Sequence, residues 1–269
     1  MTSPTPARPD VPSRPDDAST DSPARSFDEA MARVASVDGW MTPDQARTLW
    51  DGAAALAPGS TIVEIGSFRG RSAIVLATAA VASVEVIAID PHAGNDAGPQ
   101  EIERPAEAGQ ADHDVFIANL EAAGVRDRIR YVRAFSHEAL DEVEGEVELL
   151  YIDGAHRYAP ARDDFRQWGA RVASGGTLLI HDSFSSIGVT FAILSSLLFS
   201  ARFRYVGRAQ SMARYRRAEP GEGGRLGSAG RQLAQLPWFV RNVLIKVLLV
   251  AHLAPLTRLL GHTTRDWPY

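Results

Sequence analysis

Ionisable side chains directly follow two apolar runs in the second half of the sequence. Asp153 comes directly after one run, and His181 and Asp182 come directly after the next. Parallel strands of an open α/β sheet bring such residues to one edge, where ligands bind. Two carboxylates and an imidazole at one edge would suit a divalent cation. The alternative is that Asp153 only caps a turn and His181 only hydrogen-bonds a neighbour.

An earlier apolar run leads into a glycine-bracketed turn. Gly66 and Gly70 enclose three residues in a G-x-x-x-G spacing, and a helical pattern follows them. Bare glycine backbone and the free N–H groups of a helix start can receive a carboxylate or phosphate. The spacing differs from the G-x-G-x-x-G dinucleotide fingerprint, which disfavours hydride transfer. The alternative is a tight β–α turn without a ligand.

Asp90 ends the next apolar run, about 20 residues after the glycine turn, where doubly wound folds place an acid that holds ribose hydroxyls. An acid at the end of a strand can also be a solvated loop residue. The two signals at this separation together favour a nucleotide-like ligand.

The elements that position these residues alternate between strand-like and helical patterns. This alternation predicts an α/β fold with a doubly wound, mostly parallel seven-stranded sheet, helices on both faces and an antiparallel closing strand. The predicted strands are Thr61–Ile65, Val84–Ile89, Ile129–Val132, Val147–Ile152 and Thr177–Ile180, with a closing pair at Phe203–Val206 and Ser211–Arg217. The predicted helices are Arg71–Ala82, Asp112–Ala123, Ala161–Val172 and Ile187–Ser200, preceded by one that starts at the capping box Thr42-Pro43-Asp44-Gln45.

The composition of the 269 residues is that of a globular protein, with 45% hydrophobic and 23% charged residues. The absence of cysteine excludes disulfide scaffolds, thiolate metal sites and cysteine nucleophiles. Residues 1–25 are rich in proline and lack an apolar segment, so we expect a disordered tail, no secretory signal and a cytoplasmic protein.

Charge is distributed unevenly along the chain. Residues 201–269 hold twelve basic and three acidic residues, so the remaining 200 residues carry a net charge of −14. A nucleic-acid enzyme would place basic surface around its active site, and here the motif-bearing part is acidic. We therefore expect no nucleic-acid partner, and any anionic partner should meet the C-terminal part.

The C-terminal part divides into a glycine-rich stretch, residues 218–231, predicted to be a flexible linker, and an apolar and basic helical segment, residues 232–269. Within the latter, residues 233–260 are apolar apart from a narrow stripe marked by Asn242 and Lys246. Uncharged runs here are too short for a simple transmembrane helix. Three partners remain open: the protein's own domain, a second copy in a homodimer, or peripheral contact with an anionic membrane, which Trp238, Phe239 and the arginines favour.

These motifs resemble a known family. Glu64-Ile-Gly-Ser-Phe-Arg-Gly-Arg-Ser72 is similar to motif I of class I S-adenosylmethionine-dependent methyltransferases, especially the catechol O-methyltransferase type. Ile152-Asp-Gly-Ala-His-Arg-Tyr158, with the later pair His181-Asp182, resembles the group of macrolide-sugar O-methyltransferases and the cephalosporin-pathway methyltransferase-like protein. The resemblance spans roughly residues 40–217. It implies a Rossmann-like methyltransferase domain, placed at residues 26–217, that uses S-adenosylmethionine.

The resemblance also implies roles for individual residues. Ser72 would hold the methionine carboxylate, Asp90 the ribose, and Ser136 would lie near the adenine. The implied cofactor-binding set is Glu64, Gly66, Ser67, Phe68, Gly70, Ser72, Asp90, Ser136 and Asp153. Asp153, His181 and Asp182 would bind Mg²⁺ or another divalent cation. The imidazole of His181 departs from the usual carboxylate at its position.

The expected activity is O-methylation of a small-molecule or sugar hydroxyl, with Asp153 and His156 as the catalytic residues. His156 falls where catechol-type enzymes keep a lysine base, and a histidine can accept the hydroxyl proton. His92 and His113 are weaker candidates, and residues 91–112 would shape acceptor choice. Two alternatives stay open: a metal-independent methyltransferase with His156 as base, and a non-catalytic cofactor-binding protein recruited to a membrane.

Overall fold

A computed structural model describes residues 26–94, 105–264 and 267–268. The predicted disordered tail, residues 1–25, lies outside the described residues. Residues 95–104 of the predicted acceptor-shaping loop do so as well.

Seven strands form one sheet in the order β3-β2-β1-β4-β5-β7-β6. Neighbours from β3 to β5 are parallel, whereas β7 is antiparallel to both β5 and β6. The predicted α/β class with a closing antiparallel strand is therefore confirmed. The strands are β1 (Thr61–Ile65), β2 (Glu85–Ile89), β3 (Ile129–Val132), β4 (Val147–Ile152), β5 (Val172–Ile180), β6 (Phe203–Ala209) and β7 (Met212–Arg217).

Helices cover both faces of the sheet, and an apolar cluster fills the space on each side. One cluster centres on β1, β2 and α3, and the other on β4, β5 and α6. Apolar side chains on successive strand positions therefore point into two separate cores, as burial on both faces requires. The helices are α1 (Phe27–Arg33), α2 (Pro43–Ala54), α3 (Arg71–Ala79), α4 (Ala106–Ala122), α5 (Tyr158–Gln167), α6 (Ile187–Ser196), α7 (Arg225–Leu233) and α8 (Leu236–Val250).

Helix boundaries match the sequence signals at some termini and differ from them at others. The predicted capping box is present at α2, where Thr42 Oγ1 accepts from Gln45 N and the Gln45 side chain accepts from Thr42 N. The helix predicted at 161–172 instead occupies Tyr158–Gln167, because β5 already begins at Val172. Helix α4 begins at Ala106 and not at Asp112.

The predicted flexible linker is wrong over half its length, because α7 occupies Arg225–Leu233. Two polar side chains of α7, Ser228 and Gln232, are fully buried against the closing strands. Ser228 Oγ accepts from Tyr205 N at 2.9 Å, and Gln232 Oε1 accepts from Tyr215 OH at 3.1 Å. These hydrogen bonds fix a segment whose glycines alone suggest freedom.

Helix α8 lies against the domain with its polar stripe turned inward. Asn242 and Ile245 are completely buried, and Trp238 and Phe239 pack against the cluster around β4 and β5. The outward face carries exposed Val240, Leu244, Val247 and Val250. By length and composition alone, the helical stretch 225–250 is long and apolar enough to cross a membrane.

Candidate active site

One cavity of about 740 Å³ opens at the carboxyl ends of the parallel strands, the position where open α/β sheets bind ligands. It joins the glycine turn (residues 66–70) to the residues that follow β4 and β5. Of the predicted site residues, those that line it are Gly66, Ser67, Phe68, Ser72, Asp90, Ser136, Asp153, His156, His181 and Asp182.

Two predicted cofactor contacts, Glu64 and Gly70, are absent from the described cavity lining. Glu64 is fully buried beneath the turn, where its Oε2 accepts from Ser67 Oγ at 2.6 Å. Burial raises the pKa of Glu64 to about 7. Gly70 has a φ of +87°, and a β-carbon here would press against the side chains of Phe116 and Leu120. Glu64 therefore supports the turn from the buried side, and the missing side chain of Gly70 lets the turn pack against α4.

Gly66 is required by the protein's own backbone. Its φ is +84°, and a β-carbon here would overlap the carbonyl oxygen of Asp153. The two segments are held together by Asp153 N, which donates to Ile65 O at 2.8 Å. The missing side chain therefore lets the residue after β4 approach the residue after β1, and this approach forms the floor of the cavity.

The Asp90 carboxylate already holds the glycine turn. Its Oδ2 accepts from Ser67 N at 2.8 Å and from Phe68 N at 2.9 Å, and its Oδ1 accepts from His92 N at 2.8 Å. These bonds fix the carboxylate at the edge of the cavity, where its predicted ribose contact remains a prediction.

His92 is occupied by structural contacts. Its Nε2 lies 2.6 Å from the carbonyl oxygen of Phe68, so this nitrogen carries a proton, and its Nδ1 lies 2.7 Å from Tyr131 OH. Nε2 therefore braces the turn, and Nδ1 ties the ring to Tyr131 on β3. This explains why His92 is a poor base candidate although it lines the cavity.

Four ionisable side chains form the carboxylate–imidazole cluster: Asp153, His156, His181 and Asp182. His156 Nε2 lies 3.0 Å from Asp182 Oδ2, and His181 Nδ1 lies 3.1 Å from Asp153 Oδ1 and 3.3 Å from Asp182 Oδ2. One ligand atom each from Asp153, His181 and Asp182 can be chosen so that all lie within 4.8 Å of one another. The pairing of β4 with β5 produces this convergence.

The charges of the cluster shift one another's pKa values. Burial opposes charge on every member, yet the facing imidazoles hold the pKa of Asp153 at about 2 and that of Asp182 well below its ordinary value. Despite the same burial, the two carboxylates raise the pKa of His156 to about 10 and that of His181 well above its ordinary value. Both imidazoles are therefore positively charged at neutral pH in this arrangement, with a proton on each ring nitrogen.

The sequence interpretation missed Tyr151, whose hydroxyl donates to Asp153 Oδ2 at 2.9 Å. Alternate residues of a strand share a face, so the i, i+2 spacing to Asp153 was an available signal. His181 Nε2 is buried without a hydrogen-bond partner among the described residues.

A second missed feature is the arginine bridge at the other side of the cavity. The Arg69 guanidinium donates twice to Asp112 Oδ1 on α4, at 2.9 and 3.0 Å, and also pairs with Asp38 before α2. Phe68 directly precedes Arg69, and its ring packs against that of Trp40 with the ring centroids 5.4 Å apart. The glycine turn is thus tied to the elements on both of its sides, and nothing in the local sequence around Arg69 identifies these distant partners.

Residues 63–183 match a family model described as "Methyltransferase domain". The matched range begins in β1 and ends directly after Asp182, so it includes the glycine turn, Asp90 and the whole cluster.

Solved structures share the fold. Cofactor-bound Rv0187 from MTB is 19% identical with a TM-score of 0.52, over 72% of this chain and 89% of that chain. The SAH-bound methyltransferase PaMTH1 from Podospora anserina is 14% identical with a TM-score of 0.53, over 72% and 87%. The SAM complex of the O-methyltransferase TomG from Streptomyces achromogenes, involved in tomaymycin synthesis, is 14% identical with a TM-score of 0.51, over 72% and 89%.

Proposed function

We propose that this chain, a class I S-adenosylmethionine-dependent methyltransferase, transfers its methyl group to a hydroxyl of a small molecule or glycan with help from a divalent cation. The observation that carries the proposal is that one cavity is lined by both the glycine turn and the carboxylate–imidazole cluster, at the same sheet edge. Methyl transfer needs both parts: a held methyl donor and an activated acceptor aligned with it.

The glycine turn and Asp90 serve the methyl donor. S-adenosylmethionine, when bound, supplies an electrophilic methyl group on a sulfonium. Asp90 and Ser72 line the cavity on either side of the turn, and Ser72 lies in the first turn of α3, where free N–H groups favour a carboxylate. The predicted contacts are therefore compatible with the geometry: Ser72 with the methionine carboxylate, Asp90 with the ribose and Ser136 with the adenine side.

The cluster fits a divalent cation. Asp153, His181 and Asp182 would hold it, and two carboxylates with one imidazole suit Mn²⁺ at least as well as Mg²⁺. Such an ion would act as a Lewis acid that lowers the pKa of the acceptor hydroxyl.

His156 stands next to this site, 3.0 Å from Asp182. With its pKa raised to about 10, the imidazole holds a proton and cannot accept one from an acceptor hydroxyl at neutral pH. Positive charge at the two carboxylates would lower that pKa again. The metal-assisted reaction is therefore favoured over the metal-independent alternative, in which His156 would act alone.

A small acceptor agrees with the size of the cavity, which falls within the usual range for small-molecule sites. TomG, a fold neighbour involved in tomaymycin synthesis, supports an acceptor of this class. Trp40 and Phe135 stand partly exposed on the cavity wall and offer apolar surface to the acceptor.

Thermal unfolding with S-adenosylhomocysteine, with and without Mn²⁺ or Mg²⁺, tests the proposal, because ligands of the native state raise its stability. We expect a higher Tm with S-adenosylhomocysteine, a further rise with the cation, and loss of the cation effect alone in Asp153→Ala. No rise with S-adenosylhomocysteine would refute the methyltransferase assignment. If the cation did not change Tm, the metal-independent methyltransferase would become the favoured assignment.

The outward face of α8 supports a second proposal, peripheral contact with an anionic membrane on the cytoplasmic side. Val240, Leu244 and Val247 follow one another at helical spacing on this face, and Val247 is 58% exposed. No acidic residue occurs between Glu222 and Asp266, whereas arginines recur throughout. A symmetric dimer through this face would bring like charges together, whereas anionic lipid would meet both the apolar and the basic groups.

Flotation of the full chain with phosphatidylglycerol vesicles tests this contact. We expect the protein to float, and Val247→Glu to stay with the soluble fraction, because it places a charge in the apolar face. Val81→Glu, at an exposed site far along the chain, is the matched control and should float. If the wild type stays soluble and sediments as a dimer that Val247→Glu dissociates, the face is a homodimer interface.

A further inference from the structure

We propose that α8 and the residues after it are a working part of the active site, because they position the loop that carries Asp182. The loop, residues 182–186, lies between β5 and α6. Asn242 and Lys246 of α8 are the positioning residues. The inference rests on the proposed cation site, because Asp182 is one of its three candidate ligands.

The loop has an unusual backbone. Asp182 and Phe184 are not glycines, yet their φ angles are +53° and +56°, in the left-handed region. Such conformations persist only where surrounding structure holds them. Ser183 Oγ donates to Ile180 O at the end of β5, at 2.8 Å. The N–H groups of Ser185 and Ser186 both donate to Asp182 O, and Ser186 Oγ donates to His156 O. Further support comes from the C-terminal part of the chain.

Three hydrogen bonds provide that support. Asn242 Nδ2 donates to the carbonyl oxygen of Phe184 at 3.3 Å, and Lys246 Nζ donates to the carbonyl oxygen of Ser185 at 3.0 Å. Ser185 Oγ in turn donates to the carbonyl oxygen of Pro268 at 2.7 Å. Two successive carbonyl groups of the loop are thus held by one face of α8.

The two supporting side chains are themselves held in place. Asn242 is fully buried, and its Oδ1 accepts from Arg241 Nη1 at 3.1 Å, which fixes the orientation of the amide. The Lys246 ammonium lies 4.7 Å from the centre of the Trp267 ring. The polar stripe of an otherwise apolar helix therefore has a specific role: it points at the loop beside the cluster.

Because Lys246 is charged, the positioning role and simple electrostatics predict opposite changes in Mn²⁺ affinity when it is replaced. A positive charge near Asp182 repels a cation, so electrostatics alone predicts that Lys246→Met binds Mn²⁺ more tightly. Positioning predicts weaker binding, since groups that orient metal ligands typically contribute 10–100-fold to affinity.

Titration calorimetry of the full chain with Mn²⁺ decides between the two. We expect about tenfold weaker binding in Lys246→Met and in the neutral change Asn242→Leu. Affinity for S-adenosylhomocysteine should stay unchanged and show that the fold persists. Leu244→Ala, on the exposed face of the same helix, is the control and should match the wild type. Equal or tighter Mn²⁺ binding in Lys246→Met overturns the inference.

Hydrogen exchange separates this inference from the cation proposal. Amides of residues 183–188 should exchange faster in Lys246→Met and Asn242→Leu, whereas those of residues 62–66 should not change. If the wild type binds no Mn²⁺, the cation proposal fails, and the exchange of the loop decides whether α8 positions it. Unchanged exchange in both variants would then overturn the positioning role.

Discussion

The two ends of the cavity hold their ionisable groups by different means. At the glycine turn, the Asp90 carboxylate is matched by three backbone N–H groups, and His92 is matched by a carbonyl and a tyrosine hydroxyl. In the carboxylate–imidazole cluster, side-chain charges are matched mainly by one another, as between Asp182 and both imidazoles. Backbone N–H groups do not change their protonation state when a ligand binds. Side-chain charges that neutralise each other can gain or lose protons when a cation binds or the pH changes. We therefore expect protonation changes in the cluster and none at the glycine turn.

The largest effect is expected where the two ends meet, at Gly66. Gly66→Ala adds a β-carbon at positive φ and also forces it into Asp153 O, so we expect a loss of about 3 kcal/mol in unfolding free energy. Gly59→Ala is the matched control, with a φ of +83° and open space, and should lose only about 1 kcal/mol. Urea unfolding measures both. Equal losses would show that the contact with Asp153 is not tight.

The next effect concerns Glu64, an ionisable group at the glycine end whose hydrogen-bonding capacity is not fully matched. Its Oε1 is buried without a hydrogen-bond partner among the described residues, and its pKa is about 7 in place of 4.5. The folded protein therefore binds more protons than the unfolded chain between these values. This group lowers stability as the pH rises through that window, and the loss persists above it.

Glu64→Gln removes this titration. As the pH rises from 5 to 8, the unfolding free energy of the variant should increase by about 2 kcal/mol relative to that of the wild type. Urea unfolding at each pH measures this difference. If the unfolding free energies of the two proteins changed in parallel with pH, the pKa of Glu64 would be the same in the folded and unfolded states, and the prediction would be wrong.

Asp90→Asn should damage the glycine end alone. An amide cannot accept all three N–H bonds, and a hydrogen bond to a charged group contributes about 1.5 kcal/mol or more. We expect a loss of this size in urea unfolding and weaker S-adenosylhomocysteine binding, with unchanged Mn²⁺ affinity by calorimetry. A change in Mn²⁺ affinity would contradict the separation of the two ends.

Asp182→Asn should give the opposite pattern. The imidazoles can release their protons when one carboxylate is lost, so no charge is stranded and we expect a stability loss of only about 1 kcal/mol. Mn²⁺ binding, measured by calorimetry, should fall at least tenfold. A large stability loss with retained Mn²⁺ binding would show that the cluster is a structural ion-pair network.

The parts of the fold that were predictable depend on neighbours in sequence. The strands follow from short apolar runs, and Asp153, His181 and Asp182 could be brought together because β4 and β5 are successive parallel strands. The capping box at Thr42 is complete within four residues. Each of these signals is local, or follows from a rule that relates consecutive elements.

The remaining features depend on partners far along the chain. Helix α7 was predicted as a linker because its glycines were counted without the buried contacts of Ser228 and Gln232. The stripe of Asn242 and Lys246 was recognised, but the sequence could not show that it faces loop 182–186. Glu64 and Gly70 were assigned to cofactor contact, which stays a prediction; the partners that the structure gives them, Ser67 for Glu64 and the side chains of Phe116 and Leu120 near Gly70, are ones the sequence did not indicate.

The contacts between α8 and the loop also order events in time. Asn242 and Phe184 are 58 residues apart, and Ser185 and Pro268 are 83 residues apart. On the ribosome, the loop is therefore synthesised well before the groups that hold it, whereas all strands of the sheet precede α7. A nascent chain that has completed the sheet would already present the glycine turn while loop 182–186 still lacks its supports. Methyl-donor binding would then mature before cation binding during synthesis.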